Sequence, residues 1–309
     1  MSETEVERSL ADTLRGLEGL LVREHEPMSR HTPMRTGGPA DIWAVVSDPE
    51  ALLAALKVAR RHQTRWMAHW PWQDLIVRDG GVRGLVVRPG AGFEGLRHAD
   101  EDRIVLGAAT PFAALAGLGR GWWDALARWS GTPGGLFQDG GQDYLTGMLA
   151  GARWVRGRGV EAVELGEGDP APDLPGTALL VDVTLRPGLL VADVFGRIAP
   201  LPSGHLFAAP PTKRGAPTSA AQALGDAGLL GTRLRRWRLS TEDPGRVLNL
   251  GGGTVDDLLQ LFHGAKAQVE RYSGHTLDLR LTTAGSATTT ASSARRASPT
   301  SSPSRQGPR

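Results

Sequence analysis

The chain of 309 residues is long enough to bury a substantial core and to divide into two or more domains. Its 40% hydrophobic and 22% charged residues are typical of a folded globular protein rather than a disordered one. The absence of cysteine excludes disulfides, thiolate metal ligands and a cysteine nucleophile, and a formal net charge of only +2 does not by itself indicate a nucleic-acid partner.

The first 24 residues predict a short polar-apolar helix that forms an N-terminal arm. They are acidic at the start and lack the apolar core of a signal peptide. No segment approaches the roughly 20 apolar residues that cross a bilayer. We therefore expect a cytoplasmic protein that does not span a membrane.

A strand followed by a helix comes next. Asp41–Ser47 is rich in strand-forming residues. Ser47 or Asp48 is placed to cap an amphipathic helix over Ala51–His62. This is the clearest pairing of a strand with a helix in the sequence.

The middle of the chain is rich in glycine turns. RDGGVRGLVVRPG predicts a β-hairpin with Gly80 and Gly81 in its turn. DRIVLGAATPFAALAGLG predicts a strand that leads into a helix, and Trp129–Gly147 predicts a long glycine-rich loop. Thr177–Pro187 predicts a further strand.

Two helices and a strand are predicted towards the C-terminus. SAAQALGDAGLLG predicts a helix and RLRRWRLS a strand. A longer helix is expected to begin at Thr254, with Asp257 three residues on, and to end at Gly274. Residues 285–309 are rich in Ser, Thr, Ala, Pro and Arg without any acid or large apolar residue, and predict a disordered tail.

Six motifs occur in a fixed order between about Met28 and Leu281. They are TPMRTGGPADIW, DLIVRDGGVRGLVV, SGTPGGLFQDGG, PSGHLFAAPP, DAGLLGTRLRRWRLS and VLNLGGGTVDDLLQL. Together they resemble the UDP-N-acetylenolpyruvoylglucosamine reductase (MurB) family. The resemblance implies an α+β fold in which a PCMH/MurB-like FAD-binding region of two subdomains precedes a smaller α+β substrate-binding domain.

The resemblance also implies a domain layout and a reaction. We predict an N-terminal arm at 1–24, the FAD-binding domain at 25–190, the substrate domain at 191–284 and the tail at 285–309. In the family, FAD carries hydride from NADPH to an enolpyruvyl carbon of a UDP-sugar. A hydroxyl or thiol donates a proton, and an arginine and a carboxylate stabilise the intermediate. We expect the chain to be a monomer.

The family's glycine-rich loop beside the FAD pyrophosphate falls on Trp70-Pro71-Trp72-Gln73-Asp74. Two indole rings and a proline, which has no N–H group, replace the glycines, and Asp74 adds a negative charge near the phosphates. Trp70, Trp72, Gln73 and Asp74 therefore form either a rebuilt stacking platform for a cofactor or an ordinary packed loop. The residue types favour packing.

Two glycine turns carry the other backbone contacts to FAD that the resemblance implies. The residues concerned are Gly37 and Gly38 in the first turn, and Gly131, Thr132, Gly134 and Gly135 in the second. The same glycines are equally suited to ordinary turns without a ligand.

Three residues near the C-terminus occupy or adjoin the family's catalytic positions. His205 stands at the proton-donating serine, where a histidine could act as a general acid or be only a polar loop residue. Arg280 stands at the glutamate position, and Asp278 lies two residues earlier on the same face of the expected strand. The segment Gly166–Gly176 contains no counterpart of the family's arginine.

Because several polar groups are replaced together, we predict that the family reaction is weakened or lost. Each such group typically contributes about 10²–10⁴-fold in rate. One alternative is a divergent flavoenzyme with His205 as acid and Asp278 or Glu242 as its partner. The other is a non-catalytic relative that binds a UDP-sugar or a protein.

Two further classes are disfavoured. Single-stranded nucleic acid could bind arginines interleaved with an aromatic ring, but on one strand these arginines divide between two faces. The arginines are Arg233, Arg235, Arg236 and Arg238, beside Trp237. A metal hydrolase is disfavoured because His25, His31, His62 and His69 show no ligand spacing. We therefore predict neither a nucleic-acid partner nor a metal site.

Overall fold

The computed structural model describes most of the chain up to residue 284. The described residues are 3–71, 75–118, 121–127, 131–138, 145, 147–156, 159–167, 169–174, 178–186, 207–208, 219–243, 245–279 and 282–284. The tail predicted at 285–309 lies outside them.

Six α-helices occur in the described part of the chain. They are α1 Glu3–Arg15, α2 Pro49–Arg61, α3 Gly121–Ala127, α4 Pro133–Gln138, α5 Ala220–Asp226 and α6 Val255–Ser273. Short 3₁₀ turns lie at Met28–Arg30, Ala91–Phe93 and Phe112–Leu115.

The first sheet has four strands. They are β1 Leu20–Pro27, β2 Pro39–Val46, β3 Trp66–Ala68 and β5 Val82–Pro89. Their order in the sheet is β1-β2-β5-β3, with β1 antiparallel to β2 and the other pairs parallel. The parallel pairs follow from the βαβ connection through α2.

The second sheet has five strands and is antiparallel throughout. They are β6 Leu96–His98, β7 Ile104–Gly107, β8 Leu149–Arg156, β9 Gly159–Glu164 and β10 Leu179–Leu185. Their order is β6-β7-β10-β8-β9. The predicted strand Thr177–Pro187 is thus confirmed as the central strand β10.

The remaining strands are short. They are β4 Leu75–Val77, β11 Phe207–Ala208, β12 Arg233–Leu234, β13 Trp237–Leu239, β14 Val247–Asn249, β15 Asp278–Leu279 and β16 Thr282–Ala284. β12, β13 and β14 form a sheet, β11 pairs with β15, and β16 pairs in parallel with β4.

Helix ends agree with their expected caps. Asp48 accepts hydrogen bonds from the N–H groups of Glu50 and Ala51 at the start of α2. The pKa of Asp48 is held below its usual value, mainly by the hydrogen bond from Ala51 and then by a hydrogen bond from the Ser47 hydroxyl. Thr254 caps α6, and the residue after α6, Gly274, has a φ of 69°.

Four local predictions are wrong. Residues 1–24 are not one helix, because Leu20–Pro27 adds a strand to the edge of β2. The stretch around Gly81 is not a hairpin, because β4 and β5 belong to different sheets. The predicted loop Trp129–Gly147 contains α4. RLRRWRLS is a hairpin that turns at Arg235, with a φ of 50°, rather than one strand.

The buried apolar residues of the described part form three clusters. The largest joins α1 and α2 to both large sheets and includes Leu10, Leu52, Trp70, Phe137 and Leu180. A second lies around α6 and includes the buried rings of Trp237 and Phe262. The third packs on the other face of the first sheet around Trp43.

The C-terminal part is attached to the first part by specific polar contacts. Asp79, between β4 and β5, accepts a hydrogen bond through Oδ2 from the N–H of Val255 at the start of α6 (2.9 Å). Asn249 donates from Nδ2 to the carbonyl oxygen of Met34 (2.9 Å). These contacts, with the β4–β16 pair, fix α6 against the N-terminal sheet.

Two features are absent from the part of the chain that the structure describes. None of its helices is both long and apolar enough to cross a membrane. Its His, Asp and Glu side chains form no group of three that could hold a metal ion.

Removal of the Asp79 carboxylate should loosen the attachment of α6. We expect Asp79→Ala to lower the free energy of unfolding by about 1–2 kcal/mol, because the Val255 N–H loses its acceptor at a helix start. The exposed acid Asp256 in the same helical turn provides a control, Asp256→Ala, with a smaller expected loss. Urea unfolding measures both, and equal losses would contradict the attachment.

Candidate functional site

The structure describes eight of the thirteen predicted site residues. Those outside the described residues are Trp72, Gln73, Asp74, His205 and Arg280. The others lie in three places: the glycine turn before β2, the end of β3, and the start of α4, with Asp278 apart from them in β15. The structure brings Trp70 at the end of β3 together with Gly134 in α4.

Trp70 is buried, with 2% of its surface exposed, and its indole lies directly on Gly134. A Cβ atom added to Gly134 would lie 2.5 Å from Cδ2 and Cζ3 of the ring, which is too close for any side chain. Gly134 is therefore a glycine because a tryptophan ring lies against its Cα. The ring occupies the space between the end of β3 and the first turn of α4.

Three backbone donors of the two glycine turns have protein acceptors. The N–H of Gly134 donates to the carbonyl oxygen of Ala108 (2.8 Å), and that of Gly135 to Oγ1 of Thr132 (3.2 Å). The N–H of Gly38 donates to the carbonyl oxygen of Arg78 (3.1 Å). These three N–H groups are consequently occupied by bonds within the fold.

The first glycine turn is packed against the segment after β4. A Cβ atom on Gly38 would overlap the carbonyl oxygen of Asp79 and lie 2.7 Å from the nitrogen of Gly81. One on Gly37, whose φ is 120°, would lie 2.7 Å from Cβ of Val77. Close approach of the chain to itself thus accounts for both glycines.

The pyrophosphate of the FAD that the family resemblance implies does not fit at Gly38, Gly134 or Gly135. A pyrophosphate requires free backbone donors or cations at close range. Here Trp70 covers Gly134, and the N–H groups of Gly38, Gly134 and Gly135 are bonded elsewhere. The cavity beside Trp70 measures about 280 Å³. Pockets for drug-sized ligands measure ~300–1,000 Å³, and a dinucleotide is larger than such ligands.

His69, next to Trp70, points to the opposite side of the strand. Its ring lies 5.5 Å from that of Trp43 and 6.5 Å from that of His31, and it is 3% exposed. Among the described residues, neither ring nitrogen has a hydrogen-bond partner. Burial, then the nearby His31 and Arg88, lower the pKa of His69 to about 4. It is therefore neutral at physiological pH.

Beside it, His31 connects the ring stack to a buried carboxylate. His31 stacks on Trp43 at 4.1 Å, and its Nε2 lies 3.0 Å from Oε1 of Glu26. Burial would raise the pKa of Glu26, but the bond with His31 and the charges of Arg23 and Arg30 hold it below its usual value. Glu26 therefore stays ionised in this partly buried pair.

Asp278 is the first residue of β15, where its backbone pairs with Ala208 of β11. Glu242 lies exposed in the turn after β13. The catalytic roles of these residues stay predictions.

Some arginines of the basic hairpin β12–β13 form ion pairs or hydrogen bonds within the chain. Arg235 pairs with Asp257 at 3.1 Å, and Nε of Arg233 donates to the carbonyl oxygen of Arg235 (2.8 Å). Trp237 is fully buried and its Nε1 donates to the carbonyl oxygen of Thr254 (2.7 Å). Its ring is therefore not exposed for stacking on a base.

Sequence patterns did not identify the buried His69 or the role of Asp79. Nothing in the spacing of a lone histidine tells whether it is buried, and Asp79 meets its partner Val255 across 176 positions of sequence. The one available indication for His69 was its position between an apolar strand and a tryptophan.

His69 should make the folded state less stable as the pH falls from about 6.5 to 4. In this interval the unfolded chain binds a proton at His69, whose ordinary pKa is 6.5, whereas the folded protein does not, because its pKa is about 4. The expected loss between pH 7 and pH 4.5 is about 2–3 kcal/mol, with no change above pH 7.

The comparison of His69→Phe with wild type by urea unfolding at the two pH values isolates this loss. The variant should lack it, while the exposed control His98→Phe should keep it. Parallel pH profiles for wild type and His69→Phe would exclude a buried neutral histidine.

Comparisons with known proteins agree along most of the chain. A family model described as "UDP-N-acetylenolpyruvoylglucosamine reductase, C-terminal domain" matches residues 200–283. The UDP-N-acetylenolpyruvoylglucosamine reductase of Anaeromyxobacter sp. is 31% identical over 307 positions, covering 89% of this chain and 92% of the relative. That of Geobacter sulfurreducens is 29% identical over 289 positions, covering 85% and 93%.

A solved structure shares the fold. The crystal structure of UDP-N-acetylenolpyruvylglucosamine reductase (MurB) from Thermus caldophilus has a TM-score of 0.57 at 18% identity and covers 85% of this chain and 100% of its own. The predicted α+β fold class is thereby confirmed. With 31% identity to a relative across most of both sequences, the chain belongs to the UDP-N-acetylenolpyruvoylglucosamine reductase family.

Proposed function

We propose that this protein keeps the scaffold of its family but does not carry out the FAD- and NADPH-dependent reduction of UDP-N-acetylglucosamine enolpyruvate to UDP-N-acetylmuramate. That reaction, in peptidoglycan precursor synthesis, is what the family resemblance implies. In this proposal the protein is a cytoplasmic monomer whose oxidoreductase chemistry is lost or strongly weakened.

The contact of Trp70 with Gly134 carries the proposal. A hydride transfer through flavin needs the cofactor to be bound. The indole lies directly on Gly134, one of the glycines at which the family resemblance implies backbone contacts to FAD. The ring is buried in the same cluster as Phe137 and Leu180, so it contributes to the core and does not merely cover it. Displacing it would open a cavity in the core.

The residues at the family's catalytic positions support the same conclusion. Histidine at 205, arginine at 280 and the missing arginine in Gly166–Gly176 alter proton donation and charge stabilisation together. If some turnover remains, we expect His205 to be the most sensitive position.

A second candidate is a scaffold that binds a UDP-sugar or a protein without catalysis. The observation in its favour is the match of residues 200–283 to the family's C-terminal domain. The described residues of this part have a buried core around Trp237, and Asp79 and Asn249 make the contacts that attach it to the N-terminal part.

The visible absorbance of the purified protein tests the main proposal. We expect no flavin bands to accompany the protein through gel filtration after incubation with FAD, because the cradle is filled. NADPH oxidation with the enolpyruvyl substrate should stay at background. Co-eluting flavin with substrate-dependent NADPH oxidation would overturn the proposal. In that case His205→Ala should reduce turnover by about 10²–10⁴-fold if His205 is the acid.

A thermal shift with UDP-N-acetylglucosamine on the same sample tests the second candidate. If the sugar nucleotide binds, we expect it to stabilise the folded state by about 2–3 kcal/mol at a ligand concentration 100-fold above Kd. No shift would remove the UDP-sugar from the candidate ligands.

Replacing Trp70 tests whether its ring is part of the core. We expect Trp70→Ala to lower the free energy of unfolding by about 3–5 kcal/mol, as for other fully buried aromatic side chains. Trp154, half-buried on β8 with its Nε1 bonded to Glu161, provides a matched control, Trp154→Ala, with about 1 kcal/mol. Similar losses in guanidinium unfolding would contradict a packing role specific to Trp70.

A further inference from the structure

The small sheet of β12, β13 and β14 has one buried face and one face that is at least partly exposed. On the buried face, Trp237, Leu239 and Val247 pack into the cluster around α6. Because side chains alternate along a strand, the residues between them lie on the opposite, outer face. This outer face carries Arg233, Arg236, Arg238, Leu248 and Leu250.

The hairpin turn brings together arginines that a single strand would separate. Arg233 of β12 pairs directly with Arg238 of β13. Residues opposite each other in a ladder lie on the same face, with Cβ atoms roughly 5 Å apart. Arg236 lies two residues before Arg238 and is exposed. The division of these arginines between two faces, expected for one strand, is therefore wrong for these three.

The described part of the chain does not compensate the charge of these three arginines. Two positive charges directly opposite each other destabilise a sheet. Arg235, in the turn, has an acidic partner in Asp257, but within the described residues the three arginines of the outer face form no ion pair. The Nε of Arg238 is buried and has no hydrogen-bond partner there either. The outer face thus concentrates positive charge that an external anion can neutralise.

Two leucines share the outer face with the arginines. Leu248 of β14 is the direct partner of Arg238 and is partly exposed. Leu250 is 40% exposed, and its N–H donates to the carbonyl oxygen of Arg236 (2.8 Å), which places it opposite that arginine. Each leucine therefore lies beside an arginine of the neighbouring strand.

Arginines and leucines side by side favour an anionic lipid surface as the partner. Guanidinium groups bind phosphates bidentately, and leucine side chains enter the boundary between headgroups and acyl chains. A single-stranded nucleic acid would need an exposed aromatic ring for its bases, and the ring of the hairpin, Trp237, is buried on the other face. A free phosphate ion would leave the leucines in water.

We propose that the outer face of the β12–β14 sheet docks on the surface of an anionic phospholipid bilayer. Its three arginines lie at the lipid phosphates and its two leucines at the acyl boundary. The contact is peripheral and needs no spanning helix. Residues 285–309 contain four arginines and no acid, and add to the electrostatic attraction. The assignment does not depend on whether the protein binds FAD.

Co-sedimentation of the full chain with vesicles at low salt tests the docking. Vesicles of equal parts phosphatidylglycerol and phosphatidylcholine should bind the protein, and vesicles of phosphatidylcholine alone should not. The double variant Arg233→Ser/Arg236→Ser should weaken binding by about 10–30-fold, because each arginine near an anionic surface contributes roughly a factor of five. The control Arg60→Ser/Arg61→Ser removes two exposed arginines of α2 and should bind like wild type. Equal weakening by the two double variants would overturn the site.

A leucine variant tests the apolar contact and covers the case that the arginine variant does not fold. Leu250→Ser keeps every charge and should weaken binding to the anionic vesicles by about threefold or more. The control Leu21→Ser changes a leucine of β1 that is 55% exposed, and should bind like wild type.

Single-stranded oligothymidylate, added as a competitor, separates lipid from nucleic acid. We expect it to displace the protein from the vesicles only weakly. Displacement at concentrations far below that of the lipid, with full vesicle binding by Leu250→Ser, would make nucleic acid the partner and overturn the assignment. The absence of binding to anionic vesicles would also overturn it, as would binding that either outer-face variant leaves unchanged.

Discussion

The packing of the Trp70 indole on Gly134 is the contact on which the centre of the molecule depends. It joins the end of β3, in the first sheet, to the first turn of α4, and α4 packs in turn against β10 in the centre of the second sheet. The two sheets thereby share one apolar cluster. Close packing of this kind is typical of protein interiors, and the Trp70 ring contributes to it between the two layers.

The glycines of the two turns pack against other residues of the protein. Gly134 is matched to an indole ring, and Gly38 to the carbonyl oxygen of Asp79. The carboxylate of Asp79 also accepts a hydrogen bond from the N–H of Val255. One residue therefore contacts both the glycine turn and the start of α6. Backbone packing alone therefore requires both glycines, whether or not a ligand approaches these turns.

Local patterns predicted what local physics determines. The helix α2 with its Asp48 cap, the helix α6 between Thr254 and Gly274, and the central strand β10 all depend on neighbouring residues, and all three occur as expected. The partner of β4 could not be predicted, because it is β16, about 200 residues away in sequence. At the candidate site, replacement of the glycine loop was visible in the sequence, but the contact of Trp70 with Gly134 and the burial of His69 depend on tertiary packing.

The size relation between Trp70 and Gly134 constrains the evolutionary history open to this chain. A smaller residue at 70 leaves a void in the core unless something else fills it, and a larger residue at 134 is excluded while the indole is present. Any variant that exchanges this pair one residue at a time therefore passes through a destabilised intermediate. Selection for folding alone opposes that step, so the pair is expected to persist once it has formed.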